Sequence, residues 1–183
     1  MPRERSQLVI TVAGRHGSGR TTQAKLLAEA FGLRYVSAGT IFRERARELG
    51  VSLEEMNRLA ASDPGFDNWL DARTREESRR RGVVIDANLS AWMAEDPDLT
   101  IFVNCPFHER VRRIAEREGR SLEEVEEETR RREELEEARY KEFYGVDLSD
   151  LSVYDVVLNT GLFTAQEAAY ILKNVVEVYL RGV

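Results

Sequence analysis

Cysteine is almost missing from this 183-residue chain. The single Cys105 has no partner for an internal disulfide and no neighbour for a CxxC pair, which excludes a disulfide framework and a redox dithiol. Histidine is nearly as scarce: His16 and His108 alone leave a structural zinc site without a ligand set. Long apolar runs are also wanting. The run over residues 8–13 is too short for a signal-peptide core or a membrane span, and no later segment is long enough. Only 4 prolines interrupt the chain, and it shows no internal repeat or low-complexity linker. Basic charge is not in excess, and a formal net charge of −6 argues against non-specific affinity for a nucleic-acid backbone. The expectation is a cytoplasmic protein with neither nucleic-acid nor membrane partners, a monomer by default.

What the chain does have is charge and short buried segments. Charged residues make up 33%, from Glu and Arg together, a surface that suits proteins working hot. The hydrophobic share of 42% is enough for one packed α/β domain and hardly two. Apolar runs at residues 8–13, 83–86, 100–103 and 154–158, with a weaker one at 33–36, read as strands. Helical patterns over 21–31, 40–49, 53–61, 67–81, 108–118, 121–144 and 165–180 separate them. Short Val/Ile-rich strands alternating with helices predict a parallel sheet covered on both faces. Capping boxes are expected at Ser52 with Glu55 and at Ser121 with Glu124.

The strongest motif is Gly14-Arg15-His16-Gly17-Ser18-Gly19-Arg20-Thr21-Thr22, which follows a strand and opens a helix. That context makes it a P-loop: glycines let several N–H groups converge on a phosphate, and the helix N-terminus adds its dipole. Thr21 stands where a hydroxyl ligates Mg²⁺. His16 reads as a lip residue of the loop. Arg20 occupies the place of the usual lysine, exchanging a compact point charge for a planar fork.

Three further groups join the loop. Ser37-Ala38-Gly39-Thr40-Ile41-Phe42-Arg43 follows the second strand, and its turn can cradle a second nucleotide while Arg43 clamps the phosphate. Asp86 ends a strand where a carboxylate beside a P-loop holds Mg²⁺ or its water, or else caps the next turn. The segment 121–144 is dominated by Glu and Arg, with sparse apolar positions at Leu122, Val125, Leu135, Ala138 and Phe143. It reads either as a solvated helix laced with i,i+4 pairs or as a mobile lid that brings arginines onto phosphates. Trp92, Met93 and Cys105 read as core residues, and His108 as a surface one.

Together these pieces resemble the nucleoside monophosphate kinases, and within them the archaeal-type cytidylate kinases. The likeness runs through LVITVAGRHGSGRTT, AKLLAEAFGLRYVSAGTIFRERARELGVSLEE, the segment 63–67, VVIDANLSAWM and the long stretch from residue 109 to 160. It implies a P-loop fold with a five-stranded parallel core over about 1–36, 81–118 and 146–183, an NMP-binding insertion at 37–80 and a lid at 119–145. It also implies transfer of the γ-phosphoryl group of ATP, with Mg²⁺, to CMP or dCMP. On that likeness Gly14 to Thr22 hold ATP, Thr21 and Asp86 serve Mg²⁺, and Arg20, Asp86, Arg132 and Arg139 act on the transferring group. Ser37, Gly39, Arg43 and Asn88 meet the acceptor, and Asp63, Asp67, Asp71 and Arg73 are candidates to read its base.

The likeness breaks at Arg20 and again at Ala87-Asn88, where the family carries Gly-Arg. A phosphate-binding cation is therefore missing at Asn88, and Arg15, Arg47 and Arg130 stand as replacements. These departures keep two alternatives in play: a nucleotide-binding P-loop protein with a regulatory or assembly role, and a kinase for another acceptor such as UMP or AMP.

Overall fold

The computed structural model describes residues 4–62 and 65–182. Its centre is β1 (Val9–Ala13), all five of whose residues are buried. A strand buried on both faces must be covered on both faces, and parallel neighbours joined by helical crossovers achieve this. β2 (Arg34–Ser37), β3 (Val83–Asp86), β4 (Leu99–Asn104) and β5 (Val156–Asn159) complete a sheet of order β2-β3-β1-β4-β5, with every pairing parallel. The expected α/β fold with five parallel strands is therefore present, and the strand at 33–36 is real though shifted by one residue.

Helices fill both faces. α1 (Arg20–Phe31) and α8 (Ala165–Leu180) cover one, where Leu27, Ala28 and Leu172 join Ile10, Val12, Ile101 and Val103 in the largest core cluster. α2 (Ala38–Leu49) and α4 (Phe66–Arg79) approach the other, where Ile41, Trp69 and Leu70 pack on Val36, Val83 and Ile85. α3 (Leu53–Ser62) lies between them in the chain. A short α5 (Ser90–Met93), absent from the sequence-based expectation, follows β3 and buries Met93. α6 (Phe107–Glu118) and α7 (Leu122–Tyr144) form a pair joined through Val111, Ile114, Ala115 and Val125.

The helix ends follow local chemistry. Reciprocal capping boxes occur at Ser37 with Thr40 and at Thr164 with Glu167. At Ser52 and Ser121 the serine hydroxyl accepts from the third residue on, which is half of the expected arrangement. α7 departs most from its apolar pattern. Leu122, Leu135 and Phe143 are 56%, 63% and 70% exposed, while Val125, Thr129 and Glu133 are the buried residues. Beyond Val125 the seam is polar, spaced by four, and turned toward the P-loop. No helix among the described residues is long and apolar enough to cross a membrane.

The topology decides where chemistry can occur. Register pairs Val12 with Asp86 and Asp86 with Ser37, so the loop after β1, the acid ending β3 and the turn after β2 meet at one edge. That edge is the carboxyl end of a parallel sheet, where open α/β folds bind ligands.

The core makes a first prediction. Leu172→Ala removes a side chain that is 0% exposed between α8 and the sheet, at an expected cost of about 2–5 kcal/mol. Tyr170→Ser on the same helix, 71% exposed, should stay within about 0.5 kcal/mol of the parent. Urea unfolding of both variants checks the contrast, and equal losses would contradict the assigned core.

Candidate active site

The loop between β1 and α1 is bent by glycine. A Cβ on Gly17, whose φ is +78°, would lie 2.7 Å from the backbone oxygen of Arg110. One on Gly14 would lie 2.5 Å from the backbone oxygen of Val103. Gly19 in left-handed conformation leads into α1, and no side chain caps that helix. Its first N–H groups are therefore left for an anion.

The loop is braced from behind. Arg110, 4% exposed, donates from Nε to Cys105 O at 3.1 Å and from Nη1 to His16 O at 2.9 Å. Its guanidinium is met by both oxygens of Glu133 from α7, with Nη2 3.1 Å from Oε2. Thr160 Oγ1 donates to Ser18 O at 2.6 Å. Ser18 is buried at 1%, and its own hydroxyl has no partner among the described residues.

Asp86, 3% exposed, is the hub in front. Arg20 Nε donates to its Oδ1 at 2.5 Å. Thr21 Oγ1 and Tyr35 OH both donate to its Oδ2 at 2.7 Å. Burial first, and then the hydrogen bond to Asp86, push the Tyr35 phenol up to about 12, so it stays protonated and donates. Asp86 caps no turn. The remaining reach of Arg20 goes to Gly14 O, 3.0 Å from Nη1, and to Asn88 Oδ1.

Two clefts open from this hub. One of about 330 Å³ is lined by Arg15, Thr22, Arg113, Arg117 and Arg120. The other, about 460 Å³, is lined by Ser37, Gly39, Arg43, Asp71 and Asn88. His16, Arg20, Thr21 and Arg132 line both, so the clefts meet there. Arg139 lines the second, seven residues and two helical turns from Arg132 on α7.

Acids of α7 sit over the loop. His16 Nε2 lies 3.0 Å from both oxygens of Glu136, which also accepts from Asn88 and Arg132 at 3.2 Å. Burial works to raise the Glu136 carboxyl, but the hydrogen bond and charge of His16, with those of Arg132, outweigh it and hold it below the ordinary range. Arg15 pairs with Glu137.

Of the residues singled out in the sequence, the loop, Arg20, Thr21, Asp86, Ser37, Gly39, Arg43, Asp71, Asn88, Arg132 and Arg139 gather at this edge. Arg73 does not line the cleft, being held by Glu76 at 2.5 Å and Glu77 at 3.3 Å. Asp63 and the side chain of Asp67 lie outside the described residues. Of the replacements suggested for the cation missing at Asn88, Arg15 lines a small cavity with it but is paired with Glu137, whereas Arg47 is exposed and Arg130 lies 4.6 Å over the Phe107 ring. The cation that touches Asn88 is Arg20.

Sequence reasoning passed over Lys25, Tyr35, Tyr140 and Tyr144, which also line the second cleft. Tyr144 OH donates to Asp71 Oδ2 at 2.5 Å, tying α7 to α4. Helical spacing carried the signal. Lys25 is one turn beyond Thr21, and 132, 136, 140 and 144 form one stripe.

A sequence model of the AAA domain family matches residues 13–131. A cytidylate kinase of Staphylothermus marinus is 43% identical over 95% of this chain and 99% of its own. One from Pyrococcus horikoshii is 41% identical over 97% and 91%. Among solved structures, a shikimate kinase from Acinetobacter baumannii superposes with a TM-score of 0.62 at 17% identity, covering 95% of each chain, and shares the fold.

The brace makes the second prediction. Glu133→Leu strands the buried Arg110 charge beneath the loop and should destabilise the protein by about 3–5 kcal/mol. Adding Arg110→Met should recover part of that loss. Denaturant midpoints measure both, and an unchanged midpoint in Glu133→Leu would show that the pair does not support the loop.

Proposed function

This chain belongs to the AAA domain family and to the cytidylate kinases, and on that footing we propose that it transfers the γ-phosphoryl group of ATP to CMP or dCMP across the junction of its two clefts. It is an ATP-dependent nucleoside monophosphate kinase. The observation that carries the site assignment is the sharing of His16, Arg20, Thr21 and Arg132 by both clefts. A group passing between two nucleotides must cross such a junction.

ATP lies in the first cleft, its phosphates on the backbone N–H groups of residues 14–19 and the first turn of α1. CMP lies in the second, its phosphate facing Ser37 and Arg43, its base toward Asp71 in the insertion of residues 37–80. Asp63 and Asp67 belong to the same insertion, whereas Arg73, engaged by Glu76 and Glu77, takes no part. An oxygen of the CMP phosphate attacks the γ-phosphorus, the bond to the β,γ-bridging oxygen breaks, and ADP leaves with that electron pair. Phosphoryl transfer of this kind runs on alignment and charge neutralisation, so no general base is assigned. Arg20, Arg132 and Arg139 supply positive charge to the transferring group. Residues 119–145 act as a lid whose closure excludes water.

Mg²⁺ suits the residues present. A hydroxyl and a carboxylate, Thr21 Oγ1 and Asp86 Oδ2, lie 2.7 Å apart at the hub. No cluster of three or more His, Cys, Asp or Glu fit to hold a metal exists among the described residues. A hard cation held by one or two protein oxygens and the nucleotide's own phosphates matches that set. When bound, the ion neutralises charge on the β- and γ-phosphates. A reducing cytoplasm suits the lone, buried Cys105, and the monomer is the proposed working form.

The test is ADP release from ATP and Mg²⁺ with CMP, dCMP, UMP and AMP in turn. Release is expected with the cytidine acceptors, and Arg132→Ala should lower kcat by about a hundredfold or more. ATP binding without acceptor-dependent release would instead support a nucleotide-binding factor, and release with UMP or AMP alone would reassign the acceptor.

A further inference from the structure

The two departures in the sequence are in contact. Arg20 replaces the loop lysine, Asn88 stands where a cation is missing, and Arg20 Nη1 donates to Asn88 Oδ1 across 68 positions of chain. The same guanidinium holds Asp86 with Nε at 2.5 Å and Gly14 O with Nη1 at 3.0 Å. Its Nη2 donates to no group among the described residues. A lysine ammonium at position 20 is a compact point charge whose three donors all radiate from one nitrogen. A guanidinium presents donors on separate edges, so two can be anchored by protein while a third meets an anion.

The surroundings say which anion. Arg20 lines both clefts, and Asn88, its anchor, lines the second. Other cations of that cleft approach from different walls. Arg43 rises from α2, Lys25 sits 5.5 Å over the Tyr35 ring, and Arg132 and Arg139 descend from α7. At Asp86 and Asn88, which line that cleft, Arg20 is the cation in hydrogen-bond contact among the described residues.

Building on the kinase reading above, we propose that Arg20 is shared between the two nucleotides. Anchored by Asp86 and Asn88, its guanidinium meets the acceptor phosphate as well as the donor's, and supplies the charge that Asn88 lacks. Acceptor affinity then depends on a phosphate-loop residue, and positions 20 and 88 form one functional unit.

Calorimetric titration with CMP alone, and separately with a non-hydrolysable ATP analogue, tests this on the full chain. Arg20→Lys should weaken CMP by about tenfold or more, the loss of one charge-assisted contact, even with no ATP present. Adding Asn88→Arg to Arg20→Lys should bring CMP back to within about threefold of the parent, because each nucleotide then has its own cation. Asn88→Ala, which frees the guanidinium without removing it, should weaken CMP several-fold and leave the analogue within about twofold. Arg20→Lys that weakens only the analogue, with CMP unchanged, would overturn the sharing and leave the kinase reading intact. If Arg20→Lys loses its fold by circular dichroism, Asn88→Ala decides, and unchanged CMP affinity there overturns the proposal. A parent protein that binds the analogue but not CMP would overturn the acceptor assignment and the sharing together.

Discussion

A carboxylate buried at the end of a parallel strand must be met by donors, and the way Asp86 is met organises the rest of the molecule. Its three partners come from two places: Arg20 and Thr21 from the start of α1, and Tyr35 from β2. Each bond constrains an element. Together they pin the P-loop to β3 and β3 to the turn that opens the second cleft. An unpaired carboxylate at 3% exposure would be costly, so these bonds are close to obligatory in the absence of another cation. The hub is thus a fixed negative centre around which arginines and, in the proposed reaction, phosphates and a metal ion are arranged.

α7 solves the opposite problem. A helix with so few buried apolar residues has little hydrophobic burial, at Val125 against α6 and at Tyr140 and Tyr144 against Leu89 and Met93, and ion pairs and hydrogen bonds supplement it. Glu133 is part of the framework, because Arg110 also braces His16 and Cys105. Glu136 and Glu137 are different, since they meet His16, Asn88 and Arg15 at the mouth of the site. Incoming phosphates would compete with these carboxylates for the same donors. Arg15 with Glu137 is the more exposed of these contacts, whereas Glu133 is buried against Arg110.

The sequence carried the fold well because its signals are local. Val- and Ile-rich runs flanked by helical periodicity disclose parallel strands, and the glycine spacing from Gly14 to Gly19 discloses the loop. The strand order and the register that sets Asp86 beside Val12 and Ser37 depend on contacts between segments far apart in the chain. α5 was missed because four residues are too few to show a period. The seam of α7 was missed because an apolar search cannot find a line made of Thr129, Glu133, Glu136 and tyrosines. The site was legible as residue types, not as partnerships. Arg20 and Asn88 each stood out as an exception to a pattern, yet that they touch follows only from three-dimensional placement, as does the removal of Arg73 to the Glu76 and Glu77 side of α4.

The most direct measurement is a crystal structure with a bisubstrate analogue that joins cytidine to adenosine through a chain of phosphates. The account predicts cytidine beside Asp71, adenosine in the cleft of Arg113 and Arg117, and the bridging phosphates between Arg20, Arg132 and Arg139. A phosphate chain that bypasses Arg20, or a cytidine bound away from the Asp71 cleft, would contradict it.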